Sequence, residues 1–303
     1  VDRPRVVVFG QLARDLVLCA PEIPDAGSSV DVRERVEELG GKGANQAVAL
    51  AQLGARPSLV AVAGDDDVGD ALLARAASDG IDVSGVVRRP GPTGLIVEVL
   101  LPSGDYRYFE HLGERVQLHT SDVTSSASIV EGAAAALVQL QQPAPAVVSA
   151  ARLGRTARAL VVLDGAPPDG TRDDLLLLAD VLRADAREAP QWTDVSSVDG
   201  AALREATEAL LRRGPRVVAL ALDGGGNLFS WRDEETVHHL VVPDGPERVR
   251  DTTGGGDSLV AALTVGLLAG YPVPDAARCA VAASGRTVTR VGGRPDLTGL
   301  FPR

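Results

Sequence analysis

With 303 residues and 45% apolar side chains, the chain has material for a sizeable core, as one large α/β domain or two modest ones. Aromatic residues make up only 3%, so Ala, Val and Leu must fill that core. A formal net charge of −11 argues against a general nucleic-acid or anionic-membrane surface, so any phosphate site must be local, built from backbone and a few side chains.

Residues 5–10 read as a buried strand ending in Gly10. Short β-like pieces follow at 15–19 and 29–36, separated by Pro21, Pro24 and Gly27. Residues 43–53 read as a helix closed by Gly54, 57–64 as an apolar strand, and 67–78 as an amphipathic helix stopped by Gly80. Residues 94–101 and 105–111 predict a hairpin across Ser103-Gly104. Strands are then expected at 134–140, 159–164, 180–184, 216–222 and 237–242, with helices at 144–157, 198–213, 257–270 and 275–289. This alternation implies an α/β fold, a mostly parallel sheet covered by helices on both faces, read as one domain over 1–303. Ligands in such sheets gather beyond the carboxyl ends of the strands, where Gly10, Gly64, Gln141, Asp164, Asp185 and Asp223 fall. The β-rich pieces, about 12–38 and 93–115, are expected to form a small lid.

Cys19 and Cys279 give neither a disulfide framework nor a metal pattern. No signal-peptide pattern and no bilayer-length apolar run is read, so a reducing cytoplasm is the expected setting. The four histidines, His111, His119, His238 and His239, have no ligand spacing and read as surface or lid residues.

Two glycine-rich stretches carry chemistry. In residues 250–270, Gly254, Gly255 and Gly256 run into Asp257 and a strongly apolar helix. Amides at a helix start lack intrahelical partners, and glycine lets a ligand approach the backbone. The result is an anion cradle with a carboxylate on its rim, which suggests phosphoryl transfer. Read alone, the same residues make a plain glycine-rich helix entry. In the second stretch, residues 38–45, Gly40 and Gly41 give a close-approach turn, and Lys42 and Asn45 offer groups that suit polyol hydroxyls. A helix start with an exposed lysine is the plainer alternative. Neither the Walker phosphate-loop spacing nor a G-x-G-x-x-G pattern occurs.

Together the stretches at Gly40–Leu53 and Asp251–Asp257 resemble the two signatures of the ribokinase (PfkB-type) carbohydrate kinase family, in order and over essentially the whole chain. The resemblance implies a three-layer α/β/α core with a β-sheet lid that often forms a dimer contact, so a homodimer is expected. It implies ATP-dependent phosphorylation of a primary hydroxyl on a sugar, with Mg²⁺ and, as a further cofactor, K⁺. Asp257 is then the expected base, Gly254, Gly255 and Gly256 the anion hole, and Asp15, Gly41, Lys42, Asn45 and Gln141 the sugar contacts. Ala221, Asp223, Gly224 and Gly226 match the turn along ATP, for which a simple hairpin turn is the alternative. Asp185 and Glu188 match the Mg²⁺ and phosphate element, although an acidic first helical turn is an alternative. Asp251, Thr253 and carbonyls near Val288, Val291 and Gly293 match the K⁺ site. The chain departs from the family pattern at Ala13, where Asn is usual, at Gln141, where Glu is usual, and at Asp185 and Asp223. Polar substitutions of this kind change how hydroxyls are read. Ribose is the first acceptor expected from the resemblance, and the departures keep another pentose, a ketohexose, a deoxy acid sugar or a nucleoside as alternatives. A non-catalytic sugar- or nucleotide-binding relative and an ATP-independent glycosidase are the other classes.

Overall fold

The computed structural model describes residues 3–195, 200–234 and 236–301. In chain order its elements are β1 (Arg5–Phe9), β2 (Ala13–Cys19), β3 (Glu34–Gly40), α1 (Lys42–Gln52), β4 (Arg56–Gly64), α2 (Asp67–Ser78), β5 (Asp82–Arg89), β6 (Gly94–Leu100) and β7 (Tyr106–His111). Then come α3 (Thr120–Ser125), α4 (Ala127–Val130), β8 (Ala135–Gln139), α5 (Ala144–Thr156), β9 (Leu160–Asp164), α6 (Arg172–Leu178), β10 (Val181–Ala184), α7 (Ala189–Thr193) and α8 (Gly200–Leu211). The chain closes with β11 (Val217–Ala221), β12 (Asn227–Asp233), β13 (Thr236–Val242), α9 (Gly255–Leu268) and α10 (Val273–Thr287).

Nine strands form the main sheet in the order β13-β12-β11-β10-β9-β8-β1-β4-β5. From β11 through β5 every pair is parallel, and the β11–β12 and β12–β13 pairs are antiparallel. Successive strand side chains point to opposite faces. Val6 and Val8 therefore pack with α1, α9 and α10, whereas Val7 and Phe9 pack with α5 and α6. Leu59 and Ala61 alternate with Val60 and Val62 in the same way. A parallel sheet must be covered on both faces, and the continuous apolar runs of β1 and β4 are what that requires. The α/β/α layering expected from the sequence is present. A second, four-stranded sheet of order β3-β2-β6-β7 lies outside it.

Several boundaries differ from the expectations. The second lid strand runs over residues 34–40 and not 29–36, because β3 pairs antiparallel with β2 from Ala13↔Gly40 to Cys19↔Glu34. Pairing therefore reaches the glycine pair itself, and α1 begins at Lys42, one residue before the expected start. The sequence reading passed over β5, which ends the main sheet, because its polar Asp82, Ser84, Arg88 and Arg89 break the apolar pattern. It also passed over β12, which follows a tight turn at residues 222–226, and the short helices α3, α4, α6 and α7. The helix expected at 198–213 is observed over 200–211, and residues 198 and 199 lie outside the described residues. Among the described residues, no helix is long and apolar enough to cross a membrane.

Candidate active site

Two helix starts face one cavity of about 670 Å³. α1 follows Gly41 (φ 81°) and α9 follows Gly254 (φ 73°), and neither start has a side-chain cap. At α9 the Gly255 amide reaches the Thr252 carbonyl at 3.3 Å. The amides of Gly256 and Asp257 have no partner among the described residues, as a helix-start anion site requires. Each of the three glycines has its own reason. Gly254 takes the left-handed conformation, and a Cβ there would collide with the Gly293 carbonyl. A Cβ on Gly255 would lie 2.9 Å from Val288 Cγ1, and one on Gly256 would lie 2.7 Å from the Arg183 guanidinium.

Asp257 sits in the first turn of α9 and is buried. Gln46 Nε2 donates to its Oδ1 at 3.1 Å and to Asp164 Oδ2 at 2.8 Å; Asn45 Nδ2 approaches its Oδ2 at 3.4 Å. Burial pushes the Asp257 carboxyl up to about 6; Lys42 opposes the rise and Asp164 adds to it. A carboxylate with this value is ionised at neutral pH and still a useful proton acceptor. Lys42 lies 3.6 Å from Glu188. Burial would lower its ammonium, but Asp164, Asp257 and Glu188 together hold it above its ordinary value, so it stays charged.

Asp15, on β2, is buried beside the other helix start. The Gly41 amide donates to its Oδ1 at 3.2 Å. A Cβ on Gly40 would collide with this carboxylate, so Gly40 clears its seat. Burial pushes Asp15 up to about 8, against the Gly41 hydrogen bond and helped by the charges of Asp257, Glu98 and Glu38. Gln141 lies two residues past β8; its carbonyl accepts from Gln11 Nε2 at 3.1 Å, and the exposed residue lines the cavity. Asp15, Gly41, Lys42, Asn45, Gln141 and Asp257 thus border one space.

Asp185 and Glu188 cap each other's turn: Asp185 Oδ1 accepts the Glu188 amide at 2.8 Å, and Glu188 Oε2 accepts the Asp185 amide at 2.9 Å. Both line the cavity. Ala221 lines it too, whereas Asp223, Gly224 and Gly226 form the turn of the β11–β12 hairpin and are not in the wall. Asp251, Thr253, Val288 and Gly293 gather around the α9 start, and Val291 precedes Gly292 in the same segment. Asp251 accepts the Thr253 amide at 2.8 Å and the Gly292 amide at 2.7 Å; the Val288 carbonyl accepts the amides of Arg250 and Asp251. Among the described residues, no three His, Cys, Asp or Glu side chains cluster as a metal site. A divalent ion here would rest chiefly on phosphate oxygens and water, which is how Mg²⁺ is commonly held.

Sequence reasoning missed several participants. Gln46, next to Asn45 in the same motif, connects Asp257 to Asp164. Arg183 pairs with Asp164 at 3.0 Å. Glu98 and Tyr108 come from the lid: Thr253 donates to Glu98 Oε2 at 2.8 Å, which leaves the Tyr108 hydroxyl, 2.9 Å away, to donate to Thr253. Arg183 and Glu98 had one available signal, a charge inside a short apolar strand, which is rare unless the charge is paired.

Known proteins resemble this chain over nearly its whole length. The pattern of the pfkB family carbohydrate kinase matches residues 3–298. Haemophilus influenzae ribokinase is 26% identical over 296 residues, covering 97% of this chain and 95% of that protein. Mouse ribokinase is 28% identical over 269 residues, covering 88% and 82%. A bifunctional ribokinase/ribose-5-phosphate isomerase A from Fructilactobacillus sanfranciscensis is 26% identical over 261 residues, and the match spans 86% of this chain but 48% of that protein. The structure of Arabidopsis thaliana ribokinase complexed with ribose and ATP superposes with a TM-score of 0.81 at 24% identity, covering 99% of this chain and 98% of that one. A match across nearly the whole chain, together with the shared fold, means that the chain belongs to the pfkB family of carbohydrate kinases.

Proposed function

We propose that the protein transfers the γ-phosphoryl group of ATP to a primary hydroxyl of a sugar, with D-ribose as the first acceptor, and that Asp257 is the base. The observation that carries this reading is Asp257 itself: a buried carboxylate with a raised pKa, whose own amide and that of Gly256 are unpartnered among the described residues, in the cavity that Asp15, Lys42 and Asn45 also line. The ribokinase relatives support ribose as the first acceptor.

The acceptor hydroxyls hydrogen-bond to Asp15, Lys42, Asn45 and Gln141. Asp257 takes the hydroxyl proton as the acceptor oxygen bonds to the γ-phosphorus and the bond to the β-phosphate oxygen breaks. The amides of Gly256 and Asp257 receive the charge that develops on the transferring group. Ala221 and the turn at Asp223, Gly224 and Gly226 would lie along the nucleotide. Asp185 and Glu188 would orient water on Mg²⁺, which when bound neutralises phosphate charge. A K⁺ site is proposed near Asp251, Thr253, Val291 and Gly293; Val288 fits it less well, since its carbonyl already accepts two amides. No step depends on K⁺.

Tyr106 and Tyr108 line the cavity with ring centroids 5.1 Å apart. Two aromatic faces suit a flat ring, so a nucleoside acceptor is the second reading. A homodimer through the lid is also proposed, supported by the exposed Phe109 on β7; a monomeric mass at micromolar concentration would remove it. The test of function is ADP release with ATP and Mg²⁺ against ribose, other pentoses, ketohexoses, a deoxy acid sugar and adenosine. Turnover is expected with ribose. Turnover with adenosine alone favours the second reading, and no turnover with any acceptor refutes the kinase assignment.

A further inference from the structure

At the carboxyl ends of β8, β9 and β10, the face towards α1 and α9 turns from apolar to polar. Leu137, Val162 and Val181 occupy that face deeper in the sheet, and Gln139, Asp164 and Arg183 follow two residues later. Parallel pairing sets Gln139 beside Asp164 and Asp164 beside Arg183. The row forms a polar floor directly beneath the α9 start. All three side chains are buried, so each polar atom there must be accounted for.

Arg183 is not fully accounted for. It is 8% exposed, and its Nη1 donates to Asp164 Oδ1 at 3.0 Å. Among the described residues no other hydrogen bond is made by its guanidinium, and its Nε is a buried atom without a partner. The group lies close against Gly256, where a Cβ would sit 2.7 Å from both Nη1 and Nη2, and it forms part of the cavity wall. A planar guanidinium held on one edge presents its other edge in fixed orientation, and that geometry matches phosphate oxygens. It sits beside the two amides left free at the α9 start.

We propose that Arg183 is a phosphate-binding catalytic residue of this site: clamped by Asp164, its free guanidinium edge contacts the phosphate oxygens received by the Gly256 and Asp257 amides. This rests on the kinase reading above. It gives Gly256 a second purpose, since any side chain there would displace Arg183. It also gives Asp164 a positioning role on both sides, holding Arg183 directly and Asp257 through Gln46. The cation stabilises the transferring group in the way fixed donors and arginines do in other phosphoryl-transfer sites, a contribution of about a hundredfold or more in turnover.

The competing role is purely structural, with Arg183 only neutralising buried Asp164. The double variant Arg183→Gln/Asp164→Asn separates the two, because a neutral amide pair leaves no unpaired charge and should fold. Thermal unfolding checks folding, and Arg183→Lys serves as a second folded variant with a cation but no planar edge. Affinity is measured for AMP-PNP with Mg²⁺ and, separately, for adenosine, which has no phosphate. The proposal expects the double variant to lose about a hundredfold in kcat and at least tenfold in AMP-PNP affinity, with adenosine affinity unchanged; Arg183→Lys falls between it and the wild type. A double variant with kcat and AMP-PNP affinity within threefold of wild type overturns the proposal and leaves the kinase reading intact. Should the wild type turn over no acceptor, the kinase reading fails, and the AMP-PNP and adenosine affinities still decide whether Arg183 binds phosphate.

Discussion

The starts of α1 and α9 are alike in backbone and opposite in use. Each follows a positive-φ glycine and lacks a side-chain cap, and the two helices pack against each other. At α1, the glycine before the cap makes room for a side chain, the Asp15 carboxylate, and the Gly41 amide is bound to it. At α9, the glycines make room for neighbouring backbone, for Val288 and for Arg183, and two amides stay free. At α1 the amide of the cap residue is therefore held by a protein carboxyl group, which is protonated at neutral pH, whereas among the described residues no side chain holds the cap amide of α9. In the proposed function the first start serves the sugar hydroxyls and the second the phosphate, and the Asp15 carboxyl group beside α1 is the difference between them.

This contrast is open to direct tests. The largest effect is expected for Asp257→Asn, which keeps shape and removes the proton acceptor: kcat should fall about 10³-fold with sugar affinity nearly unchanged. Turnover within a few-fold of wild type would mean that another group takes the proton. Next come the two glycines. Gly254→Ala forces a left-handed alanine into the Gly293 carbonyl and tilts the free amides, so kcat should fall about a hundredfold. Gly40→Ala instead displaces Asp15, so KM for the acceptor should rise about tenfold while kcat changes less. An equal kcat loss in both variants would erase the distinction between the two helix starts.

Two pH experiments extend the comparison. Asp257 must be ionised to act as base, so kcat/KM should fall about tenfold per unit as pH drops below about 6. Asp15, with a folded value near 8 against an ordinary 3.8, keeps a proton in the folded state that the unfolded chain gives up. It supports the fold below pH 4 and withdraws that support as pH rises towards 8. Asp15→Asn needs no such proton, so the variant should gain about 2–4 °C in Tm over wild type at pH 8 and little at pH 4. A gain that is the same at both values would assign the effect to something other than this carboxyl.

The sequence carried the layered core and both glycine stretches because periodicity and local turn chemistry are written in neighbouring residues. Asp257, Lys42 and Asn45 could be named for the same reason, each being within a few positions of a glycine turn, whereas Asp15 could be named only through the family resemblance and by itself reads as a solvated loop acid. Arg183 and Asp164 were not joined, because they meet only through strand register, 19 residues apart in the chain. Glu98 and Thr253 are 155 residues apart and come together through the packing of two sheets. β5 and β12 were hidden for a third reason: their polar residues disguise a period of two.

Thr253 precedes the α9 cap glycine, yet two of its hydrogen-bond partners, Glu98 and Tyr108, belong to the outer sheet. Swinging that sheet away must break both bonds and leave Thr253 to water. In the proposed function, movement of the outer sheet would thus be felt directly at the start of α9.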